Sequence, residues 1–205
     1  MKKSYKGWGA IVLILLLLIF DQVFKFWIKT HLPLHESIKI TDWFYLYFTE
    51  NPGMAFGIEI FGKLFLTIFR IAAVGIIGYY LYSIVKKKFS FGYITSVSFV
   101  FAGAVGNIID SIFYGVIFSH SFGQIATFLP KGGGYGTWLH GKVVDMLYFP
   151  LIQTTWPNWI PIIGGDEFVF FRPIFNFADS CICVGVFLIV IFYRQYLTSS
   201  LKDKK

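Results

Sequence analysis

The sequence predicts a membrane α-helical protein with four transmembrane helices, a small extracytoplasmic β-platform and a lid segment at the outer membrane surface. Three observations predict this class. Of the 205 residues, 56% are hydrophobic and only 14% are charged, the apolar residues fall into four long runs, and basic residues flank those runs on one side. A soluble domain of this size could not hide so much apolar surface.

The four runs are each about as long as a bilayer core of roughly 30 Å requires, which is about 20 helical residues. The first run follows a basic N-terminus and could be a secretory signal, but no small-x-small cleavage site follows it, so we expect an uncleaved first helix. Residues 1–205 are predicted to form a single integral membrane domain. The predicted helices are about 8–28, 64–85, 89–110 and 175–194, and the outer segments about 29–63 and 111–174.

The basic residues indicate the orientation of these helices. Ten of the 18 lie in three short segments that share one side of a four-helix topology. Short cytoplasmic loops carry such an excess, so both termini and the 86–88 loop are predicted to be cytoplasmic. The net charge of +7 therefore indicates topology, and no nucleic-acid partner is expected. The ten residues are Lys2, Lys3, Lys6, Lys86, Lys87, Lys88, Arg194, Lys202, Lys204 and Lys205.

The outer segments contain short strand-like stretches. SIKITDWFYLYFTENPGMAFGIEI is rich in aromatic and β-branched residues and is broken by Asn-Pro-Gly, which predicts a small sheet with a turn. VVDMLYFPLI and EFVFFRPIF are also strand-like, and their aromatic content suits the headgroup level of a membrane. We hypothesise that NPGMAF and the 111–144 segment, with its KGGGYG link at 131–136, close over a bound substrate. A static interfacial layer is the alternative.

Polar residues meet at one depth of the predicted bundle. At about 1.5 Å of rise per residue, the first helix carries Asp21 into the outer half of the membrane. The third helix places Asn107 and Asp110 near its outer end, and the fourth begins with Asn176 and Asp179. Asp145 belongs to the outer segment between them. Four carboxylates and two amides therefore converge on one outer-leaflet layer, where ionisable groups are costly and usually functional.

Structural roles are possible for the same residues. Asp21 and Lys25 have the spacing of a helical ion pair, Asn107 and Asp110 could tie helices together, and Asn176 with Asp179 could cap the fourth helix. Helix capping would explain the position of one such group, but not the convergence of four carboxylates on one layer. Arg70, inside the second span, either snorkels outward or pairs with one of these carboxylates.

The chemistry available to this layer is that of paired carboxylates. The sequence has no HExxH or GxSxG motif, so we expect neither a metal nor a cofactor. Two neighbouring aspartates cannot both ionise and so share a proton. One then serves as general base towards water and the other as general acid towards a carbonyl.

Five motifs in order along the chain resemble those of the bacterial lipoprotein signal peptidase family, signal peptidase II. They are DQVFK at 21–25, NPGMAF at 51–56, GAVGNIID at 103–110, VVDM at 143–146 and FNFAD at 175–179. The resemblance implies a hydrolase of the bacterial cell inner membrane, an aspartyl protease of lipoprotein processing with its active site near the outer leaflet. Its implied substrates are lipidated prolipoproteins, cleaved just before the lipid-bearing cysteine, with membrane lipids as further partners. We expect a monomer.

The resemblance also implies residue roles. Asp145 and Asp179 match the catalytic aspartates. Residues matched to substrate-binding or dyad-supporting positions are Asp21, Lys25, Asn51, Gly53, Phe56, Asn107, Asp110, Asn176 and Ala178.

The chain departs from the family pattern at two places. Ser111 stands where the family usually has arginine, and Arg70 or Arg172 could replace it. The links from Asp110 to Asp145 and from Asp145 to Asp179 are longer than usual. The alternative function is a small carrier that moves protons or cations with buried carboxylates, but such proteins often show repeats, and none is visible. A presenilin-type protease fits less well, since G-N-x-x-D replaces its G-x-G-D.

Overall fold

The computed structural model describes residues 5–53 and 62–196. The predicted site residue Phe56 lies outside these ranges, as do several of the flanking lysines. The helices are α1 (Tyr5–His31), α2 (Lys63–Lys86), α3 (Phe91–Ile109), α4 (Gly115–Ile117) and α5 (Phe177–Phe192), with a π-helical turn, Asp110–Tyr114, between α3 and α4. The strands are β1 (Ser37–Thr41), β2 (Phe44–Asn51), β3 (Val143–Tyr148), β4 (Ile152–Thr155), β5 (Glu167–Phe170) and β6 (Ile174–Phe175).

The helices have the length and surface of membrane spans. Within the described residues, three are long and apolar enough to cross a bilayer: α1, α2 and the continuous helical stretch Phe91–Ile117. The fourth, α5, has 16 residues and is apolar but short, at about 24 Å for its length. Large apolar side chains on these helices point outward, as Leu16 and Phe187 do with 61% of their surfaces exposed. A membrane helical fold accounts for this exposure, because lipid covers such a surface.

Helix α3 lies at the centre and packs against α1, α2 and α5. Two glycines of α3 allow the close approach of α5 and α1. A Cβ added at Gly103 would overlap the carbonyl oxygen of Ala178, and one added at Gly106 would lie 2.6 Å from Asp21 Oδ2. The GAVG stretch therefore brings the polar ends of α1, α3 and α5 together.

The outer segments form the predicted small sheet, with a different turn. Its strand order is β1-β2-β3-β6, and every neighbouring pair is antiparallel. The turn between β1 and β2 falls at Asp42 and Trp43, whereas Asn-Pro-Gly begins at the last residue of β2. Asn51 makes its own turn there, since Oδ1 accepts a hydrogen bond from Gly53 N at 2.7 Å. Strands β4 and β5 form a separate two-stranded sheet.

The segment after α3 differs from the prediction at its start, and its glycine-rich link is packed in place. Residues 111–117, expected to begin the outer segment, are helical. The glycine-rich link at 131–136 is held by backbone hydrogen bonds, from Tyr135 N to Phe118 O at 2.9 Å and from Gly136 N to Gly115 O at 2.8 Å. A Cβ at Gly134 would overlap the carbonyl oxygens of Gly115 and Val116. This link is packed against the end of the helix.

Candidate active site

A fully buried lysine joins the carboxylates of α1 and α3. Lys25 Nζ lies 3.0 Å from Asp21 Oδ2 and 3.0 Å from Asp110 Oδ2. All three side chains are almost completely buried. The Asp21–Lys25 helical pair that the spacing predicts is present, but Lys25 also neutralises a second carboxylate. Such a group is stable at this depth only because opposite charges and hydrogen bonds accompany it.

Gln22 is a further member of this cluster that sequence reasoning missed. Its Nε2 donates to Asp21 Oδ2 and Asp110 Oδ1, each at 3.0 Å. Its Oε1 accepts a hydrogen bond from Tyr114 Oη at 3.3 Å. Gln22 lies inside the DQVFK motif, so the signal was present in the sequence, but its adjacency to Asp21 does not reveal contacts with α3.

The same two carboxylates also hold backbone next to the predicted catalytic residues. Asp21 Oδ1 accepts a hydrogen bond from Ala178 N at 2.9 Å, directly before Asp179. Asp110 Oδ2 accepts one from Val144 N at 3.1 Å, directly before Asp145. Asp21 and Asp110 therefore fix the two peptide units that carry the pair.

Two asparagine amides connect Asp145 to Asp179. Asn176 Nδ2 donates to Asp145 Oδ1 at 2.6 Å and to Asn107 Oδ1 at 3.0 Å. Asn107 Nδ2 donates in turn to Asp179 Oδ1 at 2.7 Å. Lys25 Nζ reaches the same Asn107 Oδ1 at 2.9 Å, which links the lysine cluster to the pair of aspartates.

Asn176 and Asp179 also cap α5. Asn176 Oδ1 accepts from Asp179 N at 2.9 Å, and Asp179 Oδ2 accepts from Asn176 N at 3.3 Å. This reciprocal arrangement is a capping box. The structural alternative is therefore correct for these residues, and the same geometry orients both side chains towards Asp145 and Asn107.

The two aspartates differ in their surroundings. Asp145 is 4% exposed on strand β3, whereas Asp179 is half-buried and lines an open groove. Burial, together with the negative charge of Asp179, raises the pKa of Asp145 to about 7. A carboxyl group with such a pKa holds its proton near neutrality, which an acid catalyst needs.

The groove beside Asp179 has a volume of about 250 Å³ and lies between α2, α3 and α5. Among the described residues that line this groove, Arg70 is the only one with a cationic side chain. Arg70 Nη1 donates to Ser111 Oγ at 3.4 Å, and no ion pair between described residues includes Arg70. The arginine thus meets the position where the motif resemblance expects arginine, and the negative charges of Asp179, Asp145 and Asp110 also attract it. Arg172 binds the backbone oxygen of Glu167 in the β4–β5 region.

The Asn51–Gly53 turn adjoins Arg70. Gly53 has a φ of 97°, in the left-handed region that favours glycine. A Cβ added there would lie 2.5 Å from the Leu66 side chain and 3.5 Å from both terminal nitrogens of Arg70. A side chain at this position would overlap Leu66 and would stand in direct contact with the guanidinium, and the positive φ also favours glycine.

A second buried charge cluster lies above the first, and sequence reasoning missed it entirely. Lys29, one helical turn after Lys25, forms an ion pair with Glu50 and donates to Ser121 Oγ at 2.9 Å. Ser121 Oγ donates to Glu50 Oε1 at 3.1 Å, and Lys142 Nζ lies 3.2 Å from Glu50 Oε2. Burial alone would raise the pKa of Glu50, but the two ammonium groups outweigh it and lower that pKa.

Within residues 5–53 and 62–196, no group of three or more His, Cys, Asp or Glu side chains is placed to hold a metal ion.

Comparisons with known proteins agree on one family. The family described as Signal peptidase (SPase) II (Peptidase_A8) matches residues 13–194. A protein of Porphyromonas gingivalis named "Lipoprotein signal peptidase" is 54% identical over 201 residues, 98% of this chain and 89% of its own length. One of that name from Amoebophilus asiaticus is 38% identical over 197 residues, 93% of this chain and 78% of its own.

Solved structures show the same likeness. One described as "Bacterial membrane enzyme structure by the in meso method at 1.9 A resolution" superposes with a TM-score of 0.59 at 27% identity. The match covers 89% of this chain and 90% of that one.

Proposed function

The chain belongs to the signal peptidase II family, and on that premise we propose that it removes signal peptides from diacylglyceryl-modified prolipoproteins with Asp145 and Asp179 as its catalytic pair. As a member of that family it is a protease, and therefore a hydrolase. The observation that carries the residue assignment is the amide link, in which Asn176 binds Asp145 and Asn107 binds Asp179. Cleavage just before the lipid-bearing cysteine is part of the same proposal.

The surroundings of the two aspartates support different roles. Asp145 holds the shared proton, because its pKa is raised to about 7 by burial and by the charge of Asp179. Asp179 faces the groove and acts as the general base. Two carboxyl groups whose surroundings separate their proton affinities are the usual basis for acid and base assignments.

The proposed reaction needs only water and these two groups. The oxygen of the water molecule attacks the scissile carbonyl carbon while Asp179 takes a proton from that water. At the same time Asp145 gives its proton to the carbonyl oxygen. In the resulting gem-diol, one hydroxyl returns its proton to Asp145 while the carbon–nitrogen bond breaks. The leaving amine receives the proton from Asp179, and both aspartates regain their starting states.

Arg70 is the proposed replacement for the arginine that the motif comparison expects at Ser111. Its guanidinium shares the groove with Asp179 and Asn107. A cation there stabilises negative charge that develops on a carbonyl during attack. Its hydrogen bond to Ser111 supports this assignment, whereas Arg172 binds the backbone oxygen of Glu167 and is absent from the groove lining.

The proposed topology has four spans, with both termini in the cytoplasm of a bacterial inner membrane and the active site near the outer leaflet. Residues 1–205 then form a single integral membrane domain, which we propose to be a monomer. Two features support the placement. The sheet carrying Asp145 adjoins the first turn of α5, and stacked aromatic rings lie beside it, Trp43 on Phe149 and Phe149 on Phe175. Aromatic side chains of this kind concentrate at membrane interfaces.

We propose that lid closure is confined to the side of the Asn51–Gly53 turn. The 111–144 segment, the second half of the hypothesised lid, makes fixed contacts with the end of the helix, since Gly141 N donates to Ser111 O at 2.9 Å. These contacts favour the alternative of a static wall for that half. Residues 54–56 of NPGMAF lie outside the described residues.

The test is a cleavage assay with purified protein in lipid vesicles and a fluorescent prolipoprotein, supplied with and without its diacylglyceryl group. The proposal expects rapid cleavage of the lipidated form and poor cleavage of the unlipidated one. Equal cleavage of both would remove the reason for an outer-leaflet site. Proton or cation flux across the same vesicles, without cleavage, would instead support the carrier alternative.

A further inference from the structure

The second charge cluster consists of Lys29, Glu50, Ser121 and Lys142, and it joins three separate parts of the chain. Lys29 belongs to α1, Glu50 to the end of β2, and Ser121 and Lys142 to the segment between α4 and β3. The side chain of Lys29 is fully buried and that of Glu50 is 5% exposed. Buried charges are costly unless fully paired, and here both oxygens of Glu50 have partners.

Aromatic rings close this cluster from the side. Lys29 Nζ lies 4.9 Å from the centre of the Tyr135 ring and 5.5 Å from that of Phe118. Tyr135 Oη accepts a hydrogen bond from Lys142 N at 2.7 Å. These contacts hold the ammonium group in one position, so Glu50 has a rigid partner.

Strand geometry carries this rigidity to the site. In the sheet, Thr49 is paired with Asp145, Glu50 with Val144 and Asn51 with Val143. Side chains of a strand alternate between its faces, so Glu50 points to the face opposite Thr49, Asn51 and Asp145. When the side chain of Glu50 is held on one face of the sheet, its neighbour Asn51 is held on the other face, which also carries Asp145.

From Asn51 the constraint continues to the groove. Asn51 Oδ1 accepts the hydrogen bond of Gly53 N, and Gly53 lies against the guanidinium of Arg70, which lines the groove with Asp179. We infer that Glu50, held by Lys29, Ser121 and Lys142, is a positioning residue that sets the Asn51–Gly53 turn for substrate binding. This inference rests on the proposed function, because the groove is taken as the place where the prolipoprotein binds.

Two lysines one turn apart on α1 thus have separate roles. Lys25 supports the aspartates and Lys29 supports the turn. Without its partner the turn occupies the binding-competent position only part of the time, and the apparent affinity falls by that fraction. Substrate that does bind still meets an intact catalytic pair, so Glu50 variants change KM and leave kcat alone.

The experiment measures kcat and KM of Glu50→Gln for a lipidated fluorescent precursor, with thermal unfolding in detergent as the check on folding. A turn that is competent about a tenth of the time gives a rise in KM of roughly tenfold at unchanged kcat. Lys142→Gln removes one partner and leaves the Lys29–Ser121 contact, so it gives a smaller rise and carries the test should Glu50→Gln fail to fold. Glu36→Gln, at an exposed position, is the matched control.

A double-mutant cycle with Asn51→Ala separates positioning through the turn from any other effect. The rise in KM caused by Glu50→Gln should vanish in the Asn51→Ala background. An unchanged KM in both Glu50→Gln and Lys142→Gln, or a full rise that persists without Asn51, overturns the inference. Failure of the unsubstituted protein to cleave the lipidated precursor is a different result, because it refutes the proposed function itself.

Discussion

Asn176 Nδ2 lies 2.6 Å from Asp145 Oδ1, while the side-chain oxygen of the same amide caps the first turn of α5. One asparagine therefore ties the buried aspartate of strand β3 to the helix that carries Asp179. The position of the pair depends on helix capping as much as on the sheet. Any change that loosens the start of α5 is expected to disturb both aspartates together.

Asparagine in place of either aspartate should abolish cleavage and leave the fold intact. Each substitution removes one proton-transfer role, which is worth roughly a hundredfold to ten-thousandfold in rate. We expect Asp145→Asn and Asp179→Asn to lose activity to this degree in a cleavage assay. Asp166→Asn, at an exposed position of the β4–β5 region, should retain full activity. Substantial turnover by either dyad variant would refute the assignment.

Stability should depend on pH through Asp145. Its pKa is raised to about 7 in the folded protein, so the folded state binds a proton that the unfolded state has already lost. Asp145 makes its full contribution to the free energy of unfolding below the pKa that it has in the unfolded chain. This contribution is lost as the pH rises towards about 7. Thermal unfolding in detergent at pH 5 and pH 8 should therefore show a fall in Tm that Asp145→Asn reduces. An identical fall in both proteins would contradict this origin.

Removal of the Lys25 side-chain charge should lower the free energy of unfolding far more than removal of the charge of Asp21 or Asp110 alone. Lys25→Met leaves the carboxylates of Asp21 and Asp110 buried without a counter-charge. Breaking a buried pair in this way costs roughly 3–5 kcal/mol. The double variant Lys25→Met/Asp110→Asn should recover part of that loss in unfolding measurements, since it removes one of the two unpaired charges. Lys39→Met, whose side chain is 58% exposed, should have little effect.

Arg70 and Arg172 should differ in their importance for catalysis. Arg70→Gln is expected to lower kcat/KM by roughly tenfold or more, the effect of losing a charged hydrogen-bond donor near the reacting carbonyl. Arg70→Lys should restore only part of it, because lysine lacks the planar fork of donors. Arg172→Gln should behave like the unsubstituted protein. An equal loss of kcat/KM at both positions would mean that the overall positive charge of the protein, and not the place of Arg70 in the groove, supports catalysis.

The glycine-rich link should tolerate substitution at Gly132 and resist it at Gly134. No atom lies within 4 Å of a Cβ added at Gly132, whereas one added at Gly134 meets backbone oxygens. Gly134→Ala should therefore lower the Tm, and Gly132→Ala should leave both Tm and turnover unchanged if the link is a static wall. Lower turnover in Gly132→Ala at an unchanged Tm would favour the moving lid.

Depth along the predicted helices was enough to place the polar layer of the site. Asp21, Asn107 and Asp110 could be located from rise per residue alone, because helices in a membrane run roughly parallel over a fixed thickness. The existence of the small sheet also followed from aromatic and β-branched content. These features depend on local pattern and on the bilayer.

Contacts between distant segments could not be predicted in the same way. The pairing of Lys29 with Glu50 depends on where β2 crosses the end of α1, and no spacing in the sequence encodes that crossing. The position of the β1–β2 turn at Asp42 and Trp43 was missed because Asn-Pro-Gly is the stronger turn signal. In the structure Asn-Pro-Gly shapes the approach to Arg70 instead.

The π-helical turn at Asp110–Tyr114 has a consequence for helical phase. Its i→i+5 hydrogen bonds enclose one residue more than an α-helical turn, and each residue rotates an α-helix by about 100°. Everything after Tyr114, beginning with Gly115 against which the glycine-rich link packs, is rotated by about that angle relative to a regular helix. In an alignment with a relative whose helix continues regularly, a one-residue gap belongs inside this turn. A gap placed in the following loop would match side chains from different faces of the helix.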